Sequence, residues 1–130
     1  MEALYARLTL RKMNKQLSQL YIHDSLTGLY NRMAYEKLAM PLFHQCMQEN
    51  QPVGIMFVDA DHLKYINDTF GHDMGNLAIS SIASVLRQHC PAESVSIRYG
   101  GDEFVCVIPD YDKQKIQELA EACLLYTSDA

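Results

Sequence analysis

Gly100-Gly101-Asp102-Glu103-Phe104 sets two adjacent carboxylates on a glycine turn between two apolar, β-branched runs, Val95-Ser96-Ile97-Arg98-Tyr99 and Phe104-Val105-Cys106-Val107-Ile108. Both runs alternate or cluster as strands do, and Gly-Gly between such runs predicts a hairpin. Glycine takes positive φ and carries no Cβ, so a phosphate chain could approach this backbone closely while Asp102 and Glu103 project beside it. Taken alone, glycines followed by acids are also an ordinary way to close a hairpin.

A second acidic stretch lies upstream. Val53-Gly54-Ile55-Met56-Phe57-Val58 reads as a fully buried, central strand that ends in Asp59-Ala60-Asp61. The carboxyl end of such a strand is where open α/β sheets place ligand chemistry. Asp59 together with the acidic pair of the hairpin offers hard oxygen ligands from two elements, which suits Mg²⁺ holding a substrate phosphate.

Three segments in order carry a resemblance. They are Asp24-Ser25-Leu26-Thr27-Gly28-Leu29-Tyr30-Asn31-Arg32, the stretch Asp59-Ala60-Asp61-His62-Leu63-Lys64-Tyr65-Ile66-Asn67-Asp68-Thr69-Phe70-Gly71-His72-Asp73-Met74-Gly75-Asn76, and Arg98-Tyr99-Gly100-Gly101-Asp102-Glu103-Phe104. From Asp24 to about Ala122 the chain resembles the GGDEF family of diguanylate cyclases. The resemblance implies an α/β (α+β) fold with a mainly antiparallel sheet flanked by helices, akin to nucleotidyl cyclase and polymerase palm folds. Periodicity places helices at Arg32 to about Gln48 with a break near Met40 before Pro41, at Lys64 to Phe70, at Leu77 to His89 and at Gln114 to about Cys123. On the third, Leu77, Ile79, Ile82, Ala83, Val85 and Leu86 form the side expected to be buried.

Composition agrees with one domain. The chain has 130 residues, 48% of them hydrophobic, enough for a modest core. A net charge of −5 without a basic block argues against a nucleic-acid groove. Cys46, Cys90, Cys106 and Cys123 show no CxxC spacing and read as reduced thiols of a cytoplasmic protein. No apolar run is long enough for a membrane span, so no direct membrane contact is expected, although an anchor could precede this stretch in a longer parent.

Residues 1–22 differ in character. Ala3, Ala6, Leu10, Met13, Leu17 and Leu20 alternate at threes and fours, a heptad seam with Arg7, Arg11, Lys12 and Lys15 off it. They read as a coiled-coil-like linker helix, or else as a surface helix packed on its own domain. In the family such a signalling helix joins an upstream sensory domain to the catalytic one and pairs two subunits. Residues 23–122 are then the GGDEF domain, incomplete at its C-terminus because the family's further strand and last basic helix are not found. Cys123-Leu124-Leu125-Tyr126-Thr127-Ser128-Asp129-Ala130 resembles a translated sequencing adapter, which makes 123–130 a non-native tail; a natural helix end is the alternative.

The resemblance also implies chemistry. Such enzymes join two GTP molecules into cyclic di-GMP as an antiparallel homodimer, expelling pyrophosphate with Mg²⁺, or Mn²⁺ in its place. Asp59, the carbonyl of Ala60, Asp102 and Glu103 would hold metal, and Glu103 or Asp102 would act as base toward the ribose 3′-hydroxyl. Lys64 would neutralise phosphate charge, and the backbone N–H groups of Asp61, His62, Leu63 and Lys64 at a helix start form an anion site. Gly100 and Gly101 would face the phosphates. His72, in the loop between helices, would lie near substrate, and Asn67 would contact guanine.

Two departures stand out. Asn76 occupies the place where the family pattern Gly-His-x-x-Gly-Asp has an aspartate. A carboxylate accepts both guanine N1–H and N2–H₂, whereas Asn pairs well with the acceptor and donor of adenine. Either guanine selectivity relaxes toward ATP or GTP affinity merely falls. The family's Arg-x-x-Asp product-binding site is also replaced, by Pro91-Ala92-Glu93-Ser94. A cyclase is therefore weighed against a module that binds GTP without turning it over.

Overall fold

The computed structural model describes residues 2–127. In chain order it contains α1 (Glu2–Ile22), a π-helical turn (Tyr35–Ala39) running into α2 (Met40–Gln48), β1 (Val53–Asp59), α3 (Leu63–Phe70), α4 (His72–His89), β2 (Val95–Arg98), β3 (Glu103–Pro109) and α5 (Lys113–Thr127). The side chains of residues 18–20, including Leu20 of the heptad seam, and residues 128–130 of the suspected tail lie outside the described residues.

The three strands form one antiparallel sheet in the order β1-β3-β2. β3 is thus the central strand, and residues Phe104 to Ile108 are buried on both faces. β1 was expected to hold that position and does not. Met56 and Val58 join the core beneath α4 and α5, while Ile55 and Phe57 on the other face are 43% and 78% exposed. A helix layer covers only one of its faces, so an apolar run read as buried on both sides is buried on one.

Two apolar clusters sandwich β3. One joins Met56, Ile79, Leu86, Phe104, Cys106, Ile108 and Leu119 between the sheet and the α4/α5 layer. The other joins Ala34, Ala39, Ile97, Val105 and Val107 under the π-helical turn. That turn has a local cause. Pro41 has no N–H to continue the ladder, and the Met40 N–H bonds instead to the Tyr35 carbonyl five residues back, so where a break is expected near Met40 the helix runs on without interruption through a π-helical turn.

α4 begins five residues earlier than its periodicity suggests. Gly71, at φ 92°, is both the C-cap of α3 and the N-cap of α4, so the two helices meet at one residue. His72 therefore opens a helix and does not sit in a loop. Ile79, Ala83 and Leu86 are buried as expected, but Leu77 is 57% exposed. Every side chain from Ala3 to Leu17 on α1 is exposed, so this helix does not pack on its own domain over that span. Among the described residues no helix is long and apolar enough to cross a membrane.

Candidate functional site

The site is assembled by strand register. β1 and β3 pair from Val53↔Pro109 to Asp59↔Glu103, so the last residue of one strand stands opposite the first of the other. Directly opposed side chains share a face at about 5 Å between Cβ atoms, which roots the Asp59 and Glu103 side chains as neighbours on one face. One step further the Ala60 N–H donates to the Asp102 carbonyl at 2.8 Å. Asp59, Ala60, Asp102 and Glu103 therefore meet at one end of the sheet.

The loop between β2 and β3 is Tyr99-Gly100-Gly101-Asp102, longer than a two-residue hairpin turn. The N–H groups of Tyr99 and Gly100 both donate to the Glu103 carbonyl, at 2.8 and 3.2 Å. Neither glycine adopts positive φ, so the conformational freedom expected of them is not what the loop uses. A Cβ at Gly100 would lie 3.3 Å from the Glu103 carboxylate, which folds back over it, and a Cβ at Gly101 would meet nothing within 4 Å. The absence of a side chain at Gly101 leaves a bare backbone open to a ligand.

Arg98 fixes this loop. Its Nη2 and Nε donate to the Gly101 carbonyl at 2.9 and 3.3 Å. Its Nη1 lies 3.3 Å from Asp24 Oδ1. Asp24 belongs to a closed turn in which its Oδ2 accepts from the Thr27 hydroxyl at 2.8 Å and the Thr27 N–H at 2.9 Å. Arg87 of α4 donates to the Thr27 carbonyl from the other side. Burial pushes the Asp24 carboxyl up, but the Thr27 bonds and the Arg98 guanidinium outweigh it and hold the group below its ordinary range. Tyr99, the first residue of the loop, is held by Arg32 over its ring at 4.9 Å and by an edge contact with Tyr35.

The second half of the site is the α3/α4 corner. His62 caps α3 in the left-handed conformation, φ 61°, and turns the chain from β1 into the helix. Asp61, His62 and Leu63 lead into Lys64, which is exposed on the first turn of α3. Asn67 lies across from Gly75, where a Cβ would stand 1.7 Å from its Oδ1. Asn76 is exposed on the next position of α4.

Asp59, Ala60, Asp102 and Glu103 supply carboxylate and carbonyl oxygens of the kind that a hard divalent ion takes. Among the described residues no group of three or more His, Cys, Asp or Glu side chains is placed to hold a metal ion by itself. Oxygens of this kind, too few to close a shell, fit an ion that takes its remaining ligands from elsewhere. The supporting role of Asp24 and Arg98 has a sequence signal. Asp-x-x-Thr-Gly is a side-chain-closed turn, and an arginine two residues before a Gly-Gly loop is placed to reach back to it.

The sequence profile of the family described as diguanylate cyclase, GGDEF domain, matches residues 21–128. The chain is 34% identical over 113 residues to the bifunctional diguanylate cyclase/cyclic di-GMP phosphodiesterase MucR of Pseudomonas aeruginosa, covering 87% of this chain and 16% of MucR. It is 37% identical over 94 residues to the cyclic di-GMP phosphodiesterase NbdA of the same organism, covering 72% of this chain and 12% of that protein. The coiled coil and GGDEF domain of DgcB from Caulobacter crescentus, solved with c-di-GMP, superposes with a TM-score of 0.84 at 25% identity. That match covers 94% of this chain and 64% of the solved DgcB chain. The chain thus spans less than a fifth of the length of either curated relative.

Proposed function

The chain belongs to the GGDEF family of diguanylate cyclase domains, and on that premise we propose that the protein carrying it joins two GTP molecules into cyclic di-GMP. In each half-reaction a ribose 3′-oxygen bonds to the α-phosphorus of the other GTP, the bond to the β-phosphate oxygen breaks, and pyrophosphate leaves. The observation that carries this reading is the register pair Asp59↔Glu103 beside the open backbone of Gly101.

Asp59, the Ala60 carbonyl and Asp102 are suited to hold Mg²⁺, with Mn²⁺ as a substitute and Glu103 as a further ligand. The ion, when bound, offsets charge on the attacking and leaving oxygens. Glu103 or Asp102 takes the 3′-hydroxyl proton. Lys64 neutralises charge on the triphosphate, while the N–H groups leading into α3 from Asp61 to Lys64 and the backbone of Gly100 and Gly101 cradle it. Asn67 and Asn76 contact the base, and His72 stands at the start of α4 near the substrate.

A single site binds one GTP, so the reaction needs two sites facing each other. The exposed Leu10, Met13 and Leu17 of α1 suit pairing with a second copy. An upstream sensory domain in the parent would act through this helix, and the domain would work in the cytoplasm. Nucleic acid is not a partner in this reading.

Asn76 favours a second reading, because its carboxamide cannot accept both guanine donors. In that reading the domain either accepts ATP as well as GTP or binds GTP without turnover and gates an attached domain, a role compatible with a relative that is named as a phosphodiesterase. Incubating the full-length protein with Mg²⁺ and GTP, with ATP, and with both, and resolving products by mass, separates the readings. Cyclic di-GMP alone is the expected result. An adenine-containing dinucleotide indicates relaxed base reading, and GTP binding without product overturns the cyclase.

A further inference from the structure

Gly75 has no conformational reason to be glycine. It lies in the first turns of α4 with ordinary helical φ, it is buried, and glycine is among the poorest helix formers. What the position demands is space. A Cβ there would stand 1.7 Å from Asn67 Oδ1 and 2.8 Å from Asn67 Cγ, and no other group crowds it as closely. The carboxamide of Asn67 occupies the volume that any side chain at 75 would need.

The two residues are also tied through the backbone at the helix corner. Gly71 N–H donates to the Asn67 carbonyl at 2.9 Å, and Gly75 N–H donates to the Gly71 carbonyl at 3.3 Å. Asn67 cannot leave by moving its backbone without breaking this corner, but its side chain can rotate about χ1. A methyl group at 75 would therefore evict the carboxamide and leave the helices in place.

We propose that Gly75 is a positioning residue whose bare Cα seats the Asn67 carboxamide against α4, beside Asn76, and so sets the purine preference of the site. This rests on the reading of Asn67 as a base contact. The two amides then present one fixed pattern of donors and acceptors, and the geometry of the first depends on the absence of a side chain at 75.

The test is a double-mutant cycle in the full chain, Gly75→Ala, Asn67→Ala and both together, with two readouts. Binding is measured for α,β-methylene GTP and α,β-methylene ATP, which cannot release pyrophosphate, and thermal midpoints are recorded in parallel. Gly75→Ala is expected to weaken the guanine analogue about as much as Asn67→Ala does and to shift the guanine-to-adenine ratio by the same factor. The double variant should bind no worse than Asn67→Ala alone, because the evicted group is gone. Equal losses for both analogues at an unchanged ratio, or additive losses in the double variant, overturn the proposal while leaving the base contact standing. A neutral Asn67→Ala overturns the base-contact reading and the selective role of Gly75 with it. A fall in the Gly75→Ala midpoint that removing Asn67 does not recover overturns the eviction itself.

Discussion

Asp24 and Arg98 form an ion pair at 3.3 Å across 74 residues of chain, and the same guanidinium holds the Gly101 carbonyl. The pair joins the turn that follows α1 to the loop that leads into the acidic strand. Both side chains are less than a fifth exposed, so the contact is shielded from much of the screening that weakens surface pairs.

Asp24 gives the fold an acid-sensitive component. Its carboxyl lies below the ordinary 3.8 in the folded state. A group depressed in this way contributes stability that is complete above its unfolded value and is lost as pH falls through the folded one. Asp24→Asn is expected to lower the unfolding midpoint at pH 7 and to flatten the acid loss of stability below about pH 4. Acid titrations followed by circular dichroism check this; parallel acid limbs for both proteins would refute it.

Arg98→Lys should separate fold from function. Lysine keeps the charge but lacks the fork that reaches a carboxylate and a carbonyl together. The thermal midpoint should move by only a few degrees, whereas turnover should drop about tenfold and the amides of residues 99–102 should exchange faster with solvent. A variant with wild-type turnover would show that the loop holds its shape without Arg98.

Glu103→Gln removes a proton acceptor and an anionic oxygen with little change of shape. Turnover is expected to fall by a factor of about 10² to 10⁴, the usual range for loss of a general base. Asp59→Asn should instead raise the Mg²⁺ concentration needed for half-maximal rate. If Glu103→Gln retains activity, Asp102 is the base.

Asn76→Asp restores the two acceptors that guanine can use. An unpaired donor at the base costs on the order of 1–3 kcal/mol, so the variant should bind GTP roughly ten times or more tightly and discriminate more strongly against ATP. Unchanged preference in both proteins would sink the idea that Asn76 sets selectivity.

Cyclic di-GMP at micromolar concentration should leave turnover of the full-length protein unaffected, because Pro91-Ala92-Glu93-Ser94 has neither Arg nor Asp at the required places. Calorimetry detecting tight product binding that is lost on changing Glu93 would contradict this.

How far the sequence could be read followed from what each element depends on. The irregular turn before Pro41 and the end of α3 at Gly71 were legible because each rests on one residue with a fixed backbone consequence, though the helix runs through the first without breaking. The exposed face of β1 was not, since Ile55 and Phe57 look identical in a list whether or not a second layer covers them. The start of α4 was missed because His72, Asp73 and Asn76 carry no apolar period, and the turn at Gly71 alone sets it. The acids of the site were visible as residues, but their meeting depends on a pairing between strands that no local pattern encodes. For Asp24 and Arg98 the local pattern carries only half the answer: Asp-x-x-Thr-Gly marks a closed turn, but the partner 74 residues away is fixed by the folded sheet.

The β1/β3 register has a consequence for how the site can change. Side chains along a strand alternate faces, so sliding β1 by one position would carry Met56 and Val58 out of the core and Phe57 into it, and would part Asp59 from Glu103 in the same stroke. The alignment of the two acids is thus guarded by apolar residues that never touch a nucleotide. A one-residue insertion or deletion inside β1 would be rejected by packing before chemistry was ever tried.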